Sequence, residues 1–276
     1  MIYTLKHLYY ALRSSESEIK NVIENIDSYY RYLQRPKKKY GSNQTEKGSV
    51  KYRQLYPSRG KLKRIQQQFN FFLQQNIDFP EYAYGSIHGR NNILNAAIHR
   101  NNKHFFSVDM KNFFSYINHH QVFEMFRRNN FSPDVSHILT KLTTYKGGLP
   151  QGAPTSPIIA NLVFVETGIK LLEIANRNNL TFTSYLDDLE FSSQQDFKFL
   201  IPEILLEIKR GGFYINHKKV SYKSINPEIT GLFIDRNAQL IVNSIISNRA
   251  KENPFTMQYV KRVRAVSKKI QQKSSL

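Results

Sequence analysis

The sequence predicts an α+β fold, and three observations support this. Segments with helical spacing of apolar residues interleave along the chain with short β-prone runs, and no internal repeat divides them. The 276 residues, 40% of them hydrophobic and 13% aromatic, suffice to enclose a core. Cysteine is absent, which excludes disulfide frameworks, thiolate zinc sites and cysteine nucleophiles.

The first part of the chain predicts helices on either side of a basic segment. Apolar residues at three-and-four spacing over residues 5–26 predict helical packing. Residues 34–51 are polar, basic and interrupted by proline and glycine, so we expect a mobile connection there. A helical pattern resumes at Leu62 and ends before Pro80.

Two of the predicted strand regions carry acidic residues. Residues 104–110 alternate between two faces, which predicts a strand with Asp109 near its end. The β-prone runs 181–186 and 189–193 predict a tight hairpin with Asp187-Asp188 at its tip. Both regions therefore place carboxylates at the ends of strands.

Helices and further strands are predicted around these regions. A turn-rich loop, residues 147–154, leads into a helix whose predicted N-cap is Ser156. A second apolar helix is predicted over residues 199–208, and Gly211-Gly212 stop it. Short strands are predicted at 213–215, 229–234 and 240–242, and the chain ends in a basic amphipathic helix.

Basic residues are concentrated in two segments. The chain carries 40 basic and 21 acidic residues, a net charge of +19. Residues 31–66 contain 12 basic residues and one acidic residue, and residues 249–276 contain eight and one. Such clusters are typical of nucleic-acid binding, because each phosphate contact releases a condensed counterion. An anionic membrane surface would attract the same charge, and a solvated basic surface is the remaining interpretation.

The sequence also indicates where the protein acts. No apolar run approaches the ~18 residues of a membrane span, and the first six residues do not open a signal peptide. Because cysteine is absent as well, we expect a soluble protein of the reducing cytoplasm with no membrane partner.

Three acids stand out by their context. Asp109 lies among apolar and aromatic residues, and Asp187 and Asp188 are adjacent in a hairpin. Carboxylates brought together from separate strands repel each other until a cation binds, and oxygen-only ligands suit Mg²⁺ or Mn²⁺. Each acid also has an ordinary interpretation: the pair as a solvent-facing turn, and Asp109 as a salt-bridged or capping residue.

An ordered set of motifs contains these acids: residues 106–114 (FSVDMKNFF), 148–157 (GLPQGAPTSP) and 184–188 (SYLDD), followed by 212–219 (GFYINHKK) and 229–232 (ITGL). In this order they resemble motifs A to E of reverse transcriptases. The resemblance implies a right-hand polymerase with fingers, a palm made of an antiparallel sheet flanked by helices, and a short thumb.

The resemblance also implies domain limits. It assigns fingers to residues 1–100, palm to 101–120 and 148–234, a helical insertion of the fingers or palm to 121–147, and the thumb to 235–276. We expect this thumb to be minimal or to be completed by a partner, and no RNase H domain to be fused.

The resemblance implies nucleotidyl transfer with two Mg²⁺ ions, for which Mn²⁺ can substitute. Asp109 and Asp187 would be direct metal ligands, Asp188 would support the site, and the carbonyl of Met110 would add a ligand. Lys219 matches the lysine that protonates the departing pyrophosphate, with the preceding lysine as the alternative.

Residues that bind the incoming nucleotide are implied in the same way. Phe114 would stack under the sugar and exclude a 2′-hydroxyl, which predicts a preference for dNTPs; core packing is the alternative. Gln151 and Gly152 of motif B would contact the nucleotide and the template, or would form a plain turn. Lys47 and Arg53 would bind the triphosphate, although other basic residues of the same segment could take this role. The predicted substrate-binding residues are Phe114, Gln151, Gly152, Lys47, Arg53 and Tyr185.

Two features narrow the resemblance to bacterial retron reverse transcriptases. Residues 95–99 (NAAIH) fit their NAxxH signature, and residues 229–231 (ITG) stand where they carry Val-Thr-Gly. Leu186 departs from their usual YADD and adds bulk beside the metal site. The residues implied to contact RNA are Asn95, His99, Lys261, Arg262 and Arg264, where the first two could instead staple a loop and the last three could belong to an ordinary surface helix.

The retron resemblance implies an RNA-directed DNA polymerase that binds a structured non-coding RNA. It would copy part of that RNA, from dNTPs, into RNA-linked single-stranded DNA (msDNA), in anti-phage defence and with a separate effector protein. Two alternatives remain: another bacterial reverse transcriptase, such as an abortive-infection type, and an RNA-binding scaffold that restrains an effector.

Overall fold

The computed structural model of the chain describes residues 2–36 and 52–273, with side chains up to residue 268. The chain divides into two compact units. Unit 1 comprises Met1–Phe79 and Asn112–Val165, and unit 2 comprises Pro80–Lys111 and Glu166–Leu276. The predicted limits of fingers, palm and thumb differ from these and stay a prediction.

Helices and strands alternate through the described residues. The helices are α1 (Leu5–Ala11), α2 (Glu16–Glu24), α3 (Gly60–Asn76), α4 (Asn92–His99), α5 (Phe113–Tyr116), α6 (His119–Arg128), α7 (Pro133–Thr143), α8 (Ser156–Arg177), α9 (Ile201–Arg210), α10 (Ser244–Arg249) and α11 (Pro254–Lys273). The strands are β1 (Leu33–Pro36), β2 (Tyr52–Leu55), β3 (His104–Asp109), β4 (Thr181–Tyr185), β5 (Asp188–Ser193), β6 (Ser221–Lys223), β7 (Glu228–Ile229), β8 (Leu232–Ile234) and β9 (Leu240–Val242). Among these helices none has the length and apolarity that a bilayer crossing requires.

Unit 1 is mainly helical and is held by an aromatic core and a buried polar network. The ring of Phe69 on α3 packs against Phe126 and Phe131, with centroids 5.7 and 6.3 Å away. The buried amide of Gln66 accepts a hydrogen bond from Ser58 and donates to the carbonyl of Leu142. Such a satisfied amide fixes how the helices pack, because leaving it unpaired would be costly.

Of residues 34–51, which were expected to form a mobile connection, the structure describes only residues 34–36, and these belong to a strand. Residues 33–36 and 52–55 pair as the antiparallel strands β1 and β2, with Arg35 opposite Arg53. The remainder of the segment, and with it Lys47, lies outside the described residues. The two strands are mostly exposed and contain few apolar residues. They therefore lack the apolar alternation from which a strand is predicted.

Unit 2 is built around a four-stranded antiparallel sheet with strand order β4-β5-β3-β6. The predicted strand at 104–110 is confirmed as β3, and the predicted hairpin as β4 and β5. The tip of the hairpin differs by one residue: Tyr185 pairs with Asp188, so the turn consists of Leu186 and Asp187. Leu186 takes the left-handed conformation (φ +59°), which such a tight turn demands.

A second, three-stranded sheet, β7-β8-β9, packs with α4 and α11 in the same unit. Its core includes Ile229, Leu232, Val260 and Val263. The predicted strand at 229–234 is a hairpin here, turned by Thr230 and Gly231, both at positive φ. The amphipathic helix predicted for the chain end is confirmed as α11.

Two local predictions were wrong. Ser156 is the first residue of α8 rather than its N-cap, and its hydroxyl donates to the carbonyl of Pro150. Residues 213–215 form no strand, and Ile215 makes one isolated bridge to Met110. The Ser156 hydroxyl is engaged by a backbone carbonyl and therefore does not cap the helix.

Candidate active site

The register of β3 and β5 brings two of the predicted acids together. Asp109 is the last residue of β3 and lies directly opposite Asp188, the first residue of β5. Directly opposed residues of an antiparallel pair have their Cβ atoms about 5 Å apart. Two carboxylates so placed repel each other, so local strand propensity does not account for an acid at both positions.

Asp187 lies beside this pair in the two-residue turn. Its carbonyl accepts a hydrogen bond of 2.8 Å from the backbone N–H of Met110, which ties the turn to the end of β3. The third predicted acid is thus held at the same corner of the sheet. Met110 itself is buried, and its predicted role as a carbonyl ligand stays a prediction.

Leu186, the departure from the family pattern, packs in a tight space. A Cβ atom on Gly85 would lie 2.7 Å from Leu186 Cγ and 2.8 Å from its backbone nitrogen. Residues 82–84 run alongside β4, where Tyr84 N–H donates to the Ser184 carbonyl and Ser184 N–H to that of Tyr82. Glycine at position 85 therefore lets this segment approach the turn that carries Asp187.

Asp109 has two side-chain partners from the segment that follows α9. Lys219 Nζ lies 2.5 Å from Asp109 Oδ2, and Asn216 Nδ2 donates to Asp109 Oδ1 at 2.8 Å. The backbone N–H of Asn216 also donates to the carbonyl of Asp109. Because Asp109 is buried while the Lys219 side chain is 62% exposed, the ammonium approaches the carboxylate from the solvent side.

Asp188 is perturbed by its burial and by the two neighbouring acids. Burial, followed by the charges of Asp187 and Asp109, raises the pKa of Asp188 from 3.8 to about 7. Burial lowers the pKa of Lys219, but contact with Asp109 and the charges of Asp188 and Asp187 outweigh it, so its net pKa is raised. The corner is therefore an anionic site that attracts cations.

A second buried acid, Glu190, lies two residues after Asp188 on β5. Burial raises the pKa of Glu190 well above its usual range, and Ser107 Oγ donates to its Oε2 at 2.5 Å. Asp188 adds to this shift through its negative charge. Burial therefore disfavours the charged form of Glu190, and its carboxyl is held by a hydrogen bond from Ser107.

The acids suit a hard divalent cation. Mg²⁺ binds oxygen ligands, commonly one or two carboxylates completed by water and substrate phosphates. Among the described residues no three His, Asp or Glu side chains form a ready-made metal cage. Burial, and after it the charges of Asp187 and Asp109, nevertheless raise the pKa of Asp188, and a bound cation would stabilise its ionised form. The site thus fits a cation whose coordination the substrate would complete.

The predicted RNA contacts at the NAxxH motif are buried. The imidazole of His99 is fully enclosed, with Nδ1 2.7 Å from Ser192 Oγ and Nε2 2.7 Å from Thr183 Oγ1. Burial lowers its pKa to about 3, so the ring is neutral near pH 7. Asn95 is buried too, and its Nδ2 lies 3.4 Å from Thr230 Oγ1. This geometry favours the stapling alternative: α4 is held to β4, β5 and the 230–231 turn.

Of the other predicted substrate-binding residues that the structure describes, all but Tyr185 lie in unit 1. Phe114 is partly buried on α5 and contacts Phe113, with ring centroids 5.6 Å apart. Gln151 accepts a backbone hydrogen bond of 2.7 Å from Tyr56, and a Cβ on Gly152 (φ +102°) would approach Pro57 to 3.4 Å. Arg53 is exposed on β2. Their roles in nucleotide binding stay predictions.

Tyr185 and the basic helix belong to unit 2. Tyr185 is half-buried at the end of β4, opposite Asp188, and burial raises its pKa. On α11, the predicted RNA-binding residues Lys261, Arg262 and Arg264 are exposed, whereas Val260 and Val263 are buried. This arrangement leaves the positive charges of α11 accessible.

Sequence reasoning missed three contributors to the site: Asn216, Glu190 and Gly85. Asn216 lies inside the motif around Lys219, so its position could have suggested a contact near the acids. Glu190 is an acid between the apolar residues Leu189 and Phe191 of a strand, which could have suggested a buried partner. Nothing local distinguishes Gly85, because its requirement comes from a residue a hundred positions away.

Comparisons with known proteins bear on this site. The family model described as reverse transcriptase (RNA-dependent DNA polymerase) matches residues 36–257. The retron Se72 reverse transcriptase of Salmonella heidelberg (strain 579083-10) is 32% identical over 197 residues, which are 67% of this chain and 52% of that protein. The retron Ec86 reverse transcriptase of Escherichia coli is 29% identical, over 67% of this chain and 59% of that protein. The chain spans little more than half the length of these relatives.

Among solved structures, telomerase from Candida albicans, in complex with a TWJ fragment of telomeric RNA, is similar in fold. The TM-score is 0.56 at 10% identity, over 83% of this chain and 51% of that chain. At this identity the likeness concerns the fold alone. It confirms, with the family match, the predicted α+β fold, and the curated relatives confirm the resemblance read from the motifs.

Proposed function

The chain belongs to the reverse transcriptase (RNA-dependent DNA polymerase) family, and from this premise we propose that it is an RNA-directed DNA polymerase. The observation that carries the proposal is the convergence of Asp109 and Asp188 in register on β3 and β5, with Asp187 in the adjoining turn. Nucleotidyl transfer requires such a cluster of anionic oxygens to hold cations next to a triphosphate.

Each residue of this corner has a distinct task. Asp109 and Asp187 would hold Mg²⁺, and Asp188 would complete the negative site behind them. When bound, Mg²⁺ supplies the positive charge that favours attack by a primer hydroxyl and neutralises the triphosphate. Asn216 orients the carboxylate of Asp109 through its hydrogen bond to Oδ1. Lys219, a cation at the solvent edge, would donate a proton to the departing pyrophosphate.

Nucleotide selection is proposed to depend on Phe114. Its ring would lie against the sugar of the incoming nucleotide and leave no space for a 2′-hydroxyl, so dNTPs would be preferred over rNTPs. Gln151, Gly152 and Arg53 would contribute contacts to the nucleotide and template.

The retron type is proposed on the similarity to relatives named as retron reverse transcriptases. In this proposal the chain binds a structured non-coding RNA and extends a 2′-hydroxyl within it, which yields RNA-linked single-stranded DNA. A role in anti-phage defence with a separate effector protein belongs to the same proposal. The exposed cations of α11 would contact the phosphates of the template–primer duplex.

One assay tests the polymerase. Purified protein, the RNA transcribed from beside its gene, Mg²⁺ and dNTPs should yield RNA-linked DNA that resists alkali and carries an RNA stub. Replacing Asp187→Asn together with Asp188→Asn should abolish DNA synthesis and leave RNA affinity largely intact. RNA binding by unmutated protein without any DNA synthesis would instead establish an RNA-binding scaffold.

A second arm of the same assay tests nucleotide selection. Phe114→Val should raise the use of rNTPs relative to dNTPs, because the smaller side chain leaves space for the 2′-hydroxyl. An unchanged ratio would remove Phe114 from that role and leave it as a packing residue beside Phe113.

A further inference from the structure

Unit 1 contains a pocket that none of the roles above uses. It has a volume of about 320 Å³ and is lined by Tyr30, Tyr32, Tyr56, Tyr145 and Lys146. Four aromatic rings and one ammonium group thus converge on one cavity. The volume is at the lower end of the range typical of small-ligand pockets.

Two of the tyrosines form a rigid base. The rings of Tyr30 and Tyr145 stack with centroids 4.2 Å apart and an interplanar angle of 26°. The Tyr30 hydroxyl accepts a hydrogen bond from Gln66 Nε2, and the Tyr145 hydroxyl donates to Asp27 Oδ1 at 2.8 Å. Burial raises the pKa of both phenols, so both remain neutral. Neutral rings that stack on each other and are fixed through their hydroxyls are pre-organised to receive a flat ligand.

The other two tyrosines are more open to solvent than the buried Tyr30. The ring of Tyr32 is 50% exposed, and its centroid lies 5.4 Å from that of Tyr56. Tyr56 in turn meets Tyr145 edge to face at 5.5 Å. Large apolar rings exposed at the edge of a pocket offer stacking surfaces to a ligand.

Lys146 is presented to the pocket by an unusual backbone turn. Tyr145 and Gly148 exchange both backbone hydrogen bonds, and the two residues between them, Lys146 and Gly147, have φ of +50° and +83°. A lysine rarely adopts this left-handed conformation, which asparagine or glycine would adopt with less strain. The turn places Lys146 Nζ 5.3 Å from the Tyr56 ring centroid and 5.5 Å from that of Tyr145.

The surroundings of the pocket are basic. The described residues 31–36 and 52–66 include seven Arg or Lys and no Asp or Glu. The carboxylate of Asp27 is engaged by the Tyr145 hydroxyl. The backbone N–H of Tyr56 donates to the Gln151 carbonyl, so the pocket adjoins the LPQG loop. A negatively charged ligand with flat rings therefore matches this pocket in both shape and charge.

We propose that this pocket binds one unpaired nucleobase of a single-stranded RNA. The base stacks on the rings of Tyr32 and Tyr56, and Lys146 leaves the rings to pair with the adjoining phosphate. Stacking on aromatic side chains accepts every base, because each has a π-face, whereas the pocket offers few directional groups that would select one. The proposal rests on the proposed function, since it places the single-stranded part of the RNA on unit 1.

The test is equilibrium binding of two labelled RNAs, a short oligouridine and a blunt hairpin of equal charge, without Mg²⁺ or dNTPs. The double variant Tyr32→Leu with Tyr56→Leu should weaken binding of the oligouridine about tenfold or more and leave the hairpin nearly unaffected. The matched variant Tyr32→Phe with Tyr56→Phe keeps both rings and should bind as the unmutated protein does. Tyr10→Leu removes a tyrosine that is 84% exposed elsewhere in unit 1 and should change neither affinity.

Lys146→Gln separates the charge from the rings. It should weaken the affinity for oligouridine. It should also reduce the dependence of that affinity on salt by the equivalent of about one phosphate contact. Equal binding by the Leu and Phe double variants would overturn the proposal.

Photocrosslinking keeps the proposal testable if the Leu variant fails to fold. RNA containing 4-thiouridine, irradiated with unmutated protein, should crosslink to Tyr32, Tyr56 or Lys146 in peptide mapping. Crosslinks confined to other peptides would overturn the proposal. Primer extension by the same preparation is scored separately. If the unmutated protein makes DNA and the Leu variant binds oligouridine normally, the polymerase proposal stands and the pocket proposal is overturned. If the unmutated protein makes no DNA and the Leu variant loses oligouridine binding, the pocket proposal stands and the polymerase proposal is overturned.

Discussion

The contact between Lys219 and Asp109 carries the sharpest chemical information at the level of single residues. An ammonium group sits 2.5 Å from a carboxylate that is proposed to hold a metal ion, and it approaches from the exposed side. The cation stabilises the cluster of acids, since Asp188 and Asp187 also raise its pKa. The same position makes it a candidate proton donor to pyrophosphate.

Lys219→Gln should lower kcat for DNA synthesis by about 100-fold, the usual size of a general-acid contribution. RNA affinity should change little, because one exposed lysine among 40 basic residues is removed. Lys218→Gln is the matched control, since it removes the same charge from the neighbouring position. A larger loss in the Lys218 variant would transfer the role to that residue.

Asp188 is predicted to weaken the folded protein at high pH. Its pKa of about 7 in the folded chain exceeds the 3.8 of an unperturbed carboxyl. The folded state therefore binds a proton that the unfolded state has lost between these values, and stability falls as pH rises through that window. Above pH 7 the ionised, mostly buried group destabilises the fold in the absence of metal.

Asp188→Asn should consequently raise Tm by at least about 2 °C at pH 8 in EDTA and change it little near pH 4, where the carboxyl is protonated. Thermal unfolding followed by circular dichroism measures both values. A variant less stable than the unmutated protein at pH 8 would contradict the assigned electrostatics.

At the scale of elements, the hairpin turn between β4 and β5 depends on a distant glycine. The turn contains a bulky residue at positive φ, Leu186, and Gly85 is the neighbour that leaves space for it. Leu186 could therefore be accommodated beside the acids only with a residue that has no Cβ at position 85. Leu186 in the YLDD motif and Gly85 therefore depend on each other for packing.

Gly85→Ala should reduce DNA synthesis about tenfold or more, because the added methyl must displace either Leu186 or its backbone and so moves Asp187. Combining it with Leu186→Ala should restore part of the activity, since only the clash with the side chain is relieved and the 2.8 Å approach to the Leu186 nitrogen remains. Single-turnover rates of the four proteins of this cycle measure the coupling. Additive losses in the double variant would contradict a direct contact.

At the scale of the whole molecule, the charge of +19 is concentrated in two segments, which suits the proposed nucleic-acid partner. The exposed cations of α11 in unit 2 and the basic hairpin of unit 1 are separate contributions. Nucleic-acid affinity should therefore fall steeply with salt concentration, because each phosphate contact releases a counterion.

Replacing Lys261, Arg262 and Arg264 by Gln should weaken RNA binding and reduce the slope of log affinity against log salt by about 2, if all three contact phosphates. Lys20→Gln, an exposed lysine paired with Glu16, is the control and should leave the slope unchanged. Titrations at several salt concentrations give these slopes. A triple variant with the slope of the unmutated protein would remove α11 from the RNA interface.

Local patterns were sufficient for the main elements of unit 2. The alternation along residues 104–110 and the paired β-prone runs around Asp187 predicted β3, β4 and β5. The spacing of apolar residues predicted α11. These predictions succeed because a strand or an amphipathic helix buries one face, and that requirement is written into neighbouring residues. Exposed strands such as β1 and β2 are not predicted in this way, since neither of their faces is buried.

By itself, the sequence determined the chemical class of the site, because three acids in motifs of characteristic order carry that information without any coordinates. The tertiary structure alone decided which residues meet: Asp188 opposite Asp109, Lys219 and Asn216 on Asp109, and His99 enclosed between two hydroxyls. Strand register and burial arise from contacts between residues far apart in the chain. A slip of one residue would turn every side chain of a strand to the other face, and no local pattern specifies that alignment.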